Sequence, residues 1–364
     1  MFLKVDKILF FTIIVLLCFG LVIFGSASLG VLSVNEVKFF SVIKNQLVFA
    51  LIGGGFALFV GSQIPYHFYK KYSYYLFFGA LFVTSLVFIP QLSAYHGGAH
   101  RWIDLGSISL QPSEALKIGF VLVTAMWCST YRSHFKDWKY GLLPYAIATA
   151  MVTVVMLAQP DFGTFLVIMV SSFSVFFIGG ARKKHIMLLM AIGLVGAVTL
   201  IAVRPYMLER VKTLFNSSND PRGSSWQLNQ SLIAIGGGGV FGRGLGQSVQ
   251  KFNYLPEPIG DSIFAVASEE LGLIGVIIIV SIYGILGIRG YIISLRAEDQ
   301  FGRLLGVGII TIILSQATLN IGSMLGLLPL TGVPLPLVSH GGTALMVTLF
   351  ELGILLNISK NQNL

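Results

Sequence analysis

Ten apolar runs, each close to the length of a bilayer crossing, decide what this chain can become. They lie at about 8–28, 45–62, 74–92, 113–131, 141–158, 162–180, 186–203, 263–288, 304–325 and 341–358. A helix needs about 20 mostly apolar residues to cross a hydrocarbon core of ~30 Å. Inside that core only helices and closed barrels satisfy their own backbone. Barrel strands alternate apolar and polar residues over about ten positions, whereas these runs are continuously aliphatic and aromatic. Charged residues make up 11% of the chain, well below the ~25% of a soluble domain. The expectation is an all-α integral membrane protein of ten transmembrane helices, a single polytopic domain over 1–364, with a long structured outer loop at about 204–262 between helices 7 and 8. Gly53-Gly54-Gly55 makes the second run the least regular. Small residues after the first run resemble a signal-peptide cleavage site, but the run is longer than the usual 7–15 residues, so an uncleaved anchor is expected.

The formal charge of +9 sorts by side of the membrane rather than marking a nucleic-acid surface. With the first run entering from the cytoplasm, the inner connections carry Lys4, Lys7, Lys70, Lys71, Arg132, Lys136, Lys139 and Arg182–Lys184, with more basic residues after 288, while the short outer ones hold only Lys38, Lys44 and Arg101. Positive residues favour the inside. Both termini are therefore expected in the cytoplasm and the 204–262 loop outside. Cys18 and Cys128 fall inside apolar runs, so no disulfide framework is expected.

Polar chemistry gathers on the outer side. HRWIDLGSISLQPSE (100–114) brings Arg101 and Glu114, and Lys117 follows Glu114 by three positions, on one helix face. They read as an ion pair, a site, or both. The turn 159–163 carries Gln159 and Asp161; Asp161 suits a helix N-cap and is also a candidate site residue. The long loop opens with an amphipathic segment containing Arg210, passes a flexible stretch at 216–225, and continues through a helix into the glycine-rich run Gly236–Gly246 with Arg243. That run reads either as a phosphate cradle built of N–H groups or as a re-entrant turn. It lacks the GK[ST] ending of a nucleotide loop. PEPIGD (256–261) then places Glu257 and Asp261 where polar loop meets apolar run. Ionisable residues at such a boundary are functional candidates by default, and so are the buried-run residues Glu269, Glu270 and Glu351.

Five segments in order, HRWIDLGSISLQPSE, QPDFGT, QSLIAIGGGGVFGRGLGQS, YLPEPIGDSIFAVASEELGLIG and PLPLVSHGGTAL, resemble the landmarks of the SEDS family (FtsW, RodA and their sporulation relative SpoVE), closer to FtsW than to RodA. The resemblance implies a peptidoglycan glycosyltransferase that polymerises lipid II at the outer face of the bacterial plasma membrane. Asp261 matches the family's catalytic aspartate, here the general base of an inverting displacement of undecaprenyl pyrophosphate. Arg101, Glu114, Lys117, Arg210, Arg243 and Glu257 are the implied contacts to lipid II and its pyrophosphate. A divalent cation, Mg²⁺ or Mn²⁺, is expected on Asp261 and Glu114, with no organic cofactor. Gln159, Asp161, Ser339 and Gly341 match family motif positions. The implied partners are a class B penicillin-binding transpeptidase and other divisome or elongasome membrane proteins. The family pattern PExHTDFIF stands here with Ile259, Gly260 and Ser262 around the acid, and PLPFVSYGG with His340. A lipid II flippase, with Glu270 or Glu351 along its path, and a catalytically weak scaffold are the alternatives.

Overall fold

The computed structural model describes residues 5–96, 99–104, 109–135, 137–215 and 224–360. Helices occur over every apolar run. In chain order they are α1 (Lys7–Leu32), α2 (Glu36–Leu47), α3 (Gly55–Gln63), α4 (Tyr66–Ser85), α5 (Pro112–Thr130), α6 (Leu142–Ala158), α7 (Phe162–Ile178), α8 (Lys183–Val203), α9 (Pro205–Phe215), α10 (Ser224–Gly237), α11 (Ile263–Leu295), α12 (Gln300–Met324) and α13 (Gly342–Lys360). Among the described residues seven helical segments are long and apolar enough to cross a membrane, with Leu142–Ala158 and Phe162–Ile178 as shorter apolar helices. The protein is a multi-pass helical membrane protein. Within the loop, α9 and α10 form where amphipathic helices are expected; residues 216–223 of the expected flexible stretch lie outside the described residues.

The second run is continuous from Glu36 to Gln63 because a π-helical turn, Val48–Gly54, joins α2 to α3. Its glycines permit close approach to α13. A Cβ on Gly61 would sit 2.5 Å from the Phe350 carbonyl oxygen and 3.1 Å from the Gly353 Cα. Small residues at a crossing let membrane helices pack backbone to backbone. The core lies on α5, α12 and α13, whose residues are mostly buried, whereas α8 has no buried residue.

The all-α expectation misses one element. Between α4 and α5 the chain forms a three-stranded antiparallel sheet, β1 (Ser93–His96), β2 (Ala99–Asp104) and β3 (Ser109–Leu110). Ile103 pairs with Ser93 on one side and Leu110 on the other, and its buried side chain seats the sheet on the bundle. Strands of two to six residues are too short to show an alternating pattern amid turn-forming residues.

At the opposite end Asp6 joins three helices. It caps α1 by accepting from the Leu9 N–H at 2.8 Å, accepts Arg289 Nε and Nη2 of α11 at 3.0 and 2.6 Å, and donates its own N–H to Ser359 Oγ of α13 at 3.1 Å. Burial alone would raise its pKa. The Arg289 hydrogen bonds, the Leu9 N–H and the guanidinium charge outweigh burial and hold the carboxyl below its ordinary value. Such a group stabilises the fold above the unfolded-state pKa and loses that contribution as pH falls through the depressed one. Asp6→Ala is expected to lower stability in detergent by about 1–2 kcal/mol at neutral pH, with the deficit shrinking in strong acid. Thermal unfolding of both proteins across pH checks it.

Candidate functional site

Asp261 stands just outside the first turn of α11, half-buried in the wall of a cavity of about 300 Å³. Arg101 of β2, Asp161 at the start of α7, Glu257, Ile259 and His340 line the same cavity. Its loop is held from three directions. Asn320 Nδ2 of α12 donates to the Asp261 carbonyl and to the Val333 carbonyl, each at 2.8 Å. Ser339 Oγ donates to the Gly260 carbonyl at 2.8 Å, and the His340 N–H to that of Ile259 at 2.8 Å. Gln227 of α10 donates to Ser262 Oγ at 3.1 Å. Within the loop, Glu257 adopts φ 47°, and its carbonyl accepts the N–H groups of Gly260 and Ser262 at 3.0 and 3.2 Å. A left-handed non-glycine residue is uncommon and persists only where its surroundings hold it.

The surroundings raise the Asp261 pKa to about 6. Burial is the main cause, the Glu257 carboxylate adds to it, and Arg210 and Arg101 oppose it. A carboxylate tuned upward in this way is a better proton acceptor near neutrality than an ordinary one. The two guanidiniums are positioned from separate elements. Arg101 Nη2 donates to the Pro160 carbonyl at 2.6 Å, and Arg210 of α9 donates to the Leu330 carbonyl. Positive groups held in place beside a partly dry site stabilise charge that develops on a reacting oxygen. His340 stacks on Phe24 with ring centroids 5.7 Å apart, and burial holds its imidazole below its ordinary pKa.

Asp161 does cap α7, its Oδ1 accepting from the Thr164 N–H at 3.3 Å, while Oδ2 accepts from Gln111 at 3.3 Å and lies 3.5 Å from Ser113 Oγ. It also lines the cavity, so both readings of this residue describe its place. Gln159 ties the same turn to α4 by donating to the Thr84 carbonyl at 2.7 Å. Gly341 lines the cavity.

Two groups of expected contacts are placed elsewhere. Glu114 and Lys117 form a buried ion pair at 2.7 Å outside the cavity wall. Lys117 also donates to Gln316 Oε1 at 2.7 Å, and Gln316 donates to the carbonyl of Pro334, which does line the cavity. The pair therefore supports the wall from behind, and the structure does not bring Glu114 to Asp261. Glu351, buried in α13, lies within electrostatic range of both members of the pair. Arg243 is likewise remote from Asp261; it pairs with Glu269 at 3.3 Å and donates to the Gly237 carbonyl.

Among the described residues no three His, Cys, Asp or Glu side chains are grouped to enclose a metal ion. Asp261 and Glu257 share the cavity wall, while the Asp161 oxygens already accept protein hydrogen bonds. Mg²⁺ ordinarily keeps several waters and binds one or two carboxylates plus substrate phosphates. The cavity fits that arrangement and not an all-protein cage. Asn320 and Gln316 are site-building residues that motif reading passes over. The available signal is their position, since amide side chains inside an apolar run need partners there.

A family profile described as cell cycle protein, FtsW/RodA/SpoVE, matches residues 6–364. The chain is 38% identical to stage V sporulation protein E of Bacillus subtilis (strain 168), over 98% of this chain and 97% of that protein. It is 36% identical to a probable peptidoglycan glycosyltransferase FtsW of Geobacter metallireducens, over 98% and 95%. Among solved structures it resembles a chain from a peptidoglycan synthase complex, studied for coordination of polymerization and crosslinking, with TM-score 0.80, 27% identity and 98% coverage of both chains. Matched from end to end in sequence and in fold, the chain belongs to the FtsW/RodA/SpoVE family of multi-pass membrane proteins.

Proposed function

We propose that this protein is a glycosyltransferase that polymerises lipid II into glycan strands at the outer face of the plasma membrane. The observation that carries the reading is Asp261, a raised-pKa carboxylate that shares a cavity wall with Arg101 and lies within electrostatic range of Arg210. In this reading all ten apolar runs cross the membrane, both termini are cytoplasmic, and the cavity opens outward. A lipid-linked sugar has a polar head, a diphosphate and an isoprenoid tail, and a cavity at the end of membrane helices meets all of these chemistries.

Ionised Asp261 takes the proton of the acceptor sugar's hydroxyl as that oxygen bonds to the donor's anomeric carbon. The bond from that carbon to the diphosphate breaks in the same displacement, with inversion, and undecaprenyl diphosphate leaves. Arg101 and Arg210 face the growing negative charge on the leaving group. Asn320, Ser339 and the His340 N–H hold the loop so that the carboxylate is already placed when the hydroxyl arrives. A divalent cation, Mg²⁺ or Mn²⁺, would be held by Asp261 and Glu257 together with substrate oxygens, and would supply charge neutralisation for the diphosphate. Glu257, which raises the Asp261 pKa, would be offset by such a cation.

The names of the FtsW relatives support the activity, and the synthase complex supports a crosslinking partner of the penicillin-binding transpeptidase class. The flippase reading is weakened by Glu270, which is shut into an ion pair with Lys251 instead of facing a path. Purified protein with its transpeptidase partner, lipid II and Mg²⁺ or Mn²⁺ in liposomes is expected to yield glycan strands on a gel. Transfer of labelled lipid II between leaflets with no strands formed would replace this reading with the flippase.

A further inference from the structure

We propose that the glycine-rich run Gly236–Gly246 is a plug that sets the position of Asp261, with Arg243 and Lys251 as positioning residues for the reaction. The proposal rests on the function proposed above. α11 is not one helix in geometry: Gly272, at φ 66° and ψ −164°, breaks it. The outer piece, Ile263–Leu271, is a short rod with Asp261 just beyond one end and the break at the other. The break lies roughly 14 Å along the helix at 1.5 Å per residue, about halfway through a bilayer. Opened backbone at that depth must find partners in the protein.

The glycine run supplies them. Leu273 and Ile274, beyond the break, donate their N–H groups to the Gly239 and Val240 carbonyls at 2.9 and 3.2 Å. Before the break, the Glu269 and Glu270 carbonyls accept from the Arg243 and Gly244 N–H groups, each at 3.0 Å. Only glycine allows this fit. A Cβ on Gly242, at φ 78°, would lie 2.1 Å from the Glu270 carbonyl oxygen, and one on Gly272 would lie 2.3 Å from the Gly242 nitrogen.

The side chains close the clamp. The Glu269 carboxylate accepts from Ser248 Oγ at 2.5 Å and from the Val249 and Gln250 N–H groups at 3.1 and 3.2 Å, and it pairs with Arg243. The Glu270 carboxylate pairs with Lys251 at 2.7 Å and accepts from Ser26 Oγ of α1. The Arg243 and Gly244 N–H groups of the run therefore meet backbone carbonyls of α11, and the segment that follows the run, residues 248–250, holds the Glu269 carboxylate. Two acids and two cations leave the cluster neutral, which suits membrane depth. Because Arg101 and Arg210 sit on β2 and α9, sliding the rod moves Asp261 relative to both. A misplacement of about 1 Å in a reacting group can lower rate ~10²-fold.

Two variants and one substrate-free measurement test this on the full chain with its partner. Lys251→Met/Glu270→Gln removes both charges of the inner pair. Arg243→Gln leaves Glu269 with three protein donors, so that variant is expected to fold even where the double variant does not. Each folded variant is expected to lose kcat, by about tenfold for Arg243→Gln and about 10²-fold for the double variant, with KM for lipid II changed less than about threefold. Hydrogen exchange across 257–262 should quicken in both. Wild-type kcat in Arg243→Gln, or a change confined to KM, overturns the proposal; so does unchanged exchange, whatever the assay gives. A wild-type protein that makes no strands overturns the function reading instead, and the exchange result still decides the plug.

Discussion

Asn in place of Asp261 is expected to lower strand synthesis by about 10²–10⁴-fold, the range that a positioned general base contributes. Asn keeps the shape of the side chain and cannot take the proton. The pH dependence sharpens the prediction. Asp261 works ionised, and its pKa is raised to about 6 by burial and by Glu257. Because kcat/KM reports the free enzyme, before substrate phosphates help to hold the cation, it should fall about tenfold per pH unit below 6 in the wild type, where an unperturbed carboxylate would hold activity down to about 4. Stability runs the other way. A carboxyl whose folded pKa is raised destabilises the fold as pH climbs from the unfolded value through the folded one. Asp261→Asn should thus unfold at a higher temperature than wild type at neutral pH, with the difference vanishing in acid. A variant that is both less active and less stable would point to a collapsed cavity rather than a missing base. Strand synthesis at the wild-type rate would remove Asp261 from the reaction.

The other large effect is expected at the ion pair behind the cavity. Lys117→Met strands the Glu114 carboxylate in a place where both side chains are almost wholly buried. Removing one partner of a buried pair typically destabilises by about 3–5 kcal/mol. The loss reaches the cavity, because Lys117 also holds Gln316, which anchors the Pro334 carbonyl in the wall. Glu114→Gln with Lys117→Met should restore most of the stability, since no charge is then left unpaired. Denaturation of the singles and the double in micelles gives the coupling directly. A coupling below about 1 kcal/mol, as for exposed pairs, would show that the two charges are solvated and not a wall support.

What could be read from the sequence divides along physical lines. The helices were legible because lipid demands unbroken apolar length, a signal carried by twenty residues at once. That Asp261, Arg101 and Arg210 gather near one another at one end of the helices was legible from the same pattern. Azimuth was not. Glu114, Lys117 and Arg243 have the charge and depth of site residues, yet Glu114 and Lys117 turn to each other and Arg243 to Glu269. The glycine run left a cradle and a re-entrant turn equally open in the sequence; the bonds of Arg243 and Gly244 to α11 carbonyls fit the turn, and they depend on the break at Gly272. The small sheet was hidden by its brevity. Asn320, which fastens the Asp261 carbonyl, was one of two amides in an apolar run, and nothing nearby in sequence announces a partner 59 residues away.

α8 offers a different lesson. No residue of Lys183–Val203 is buried, so the described residues of this chain leave the helix uncovered. Tilt and rotation of a membrane helix come from packing and from interfacial anchors; for α8 that leaves the lysines at its first turn and the junction to α9. Mutational drift there should therefore shuffle Leu, Ile, Val and Met freely, preserving oiliness and span while erasing any memory of residue order.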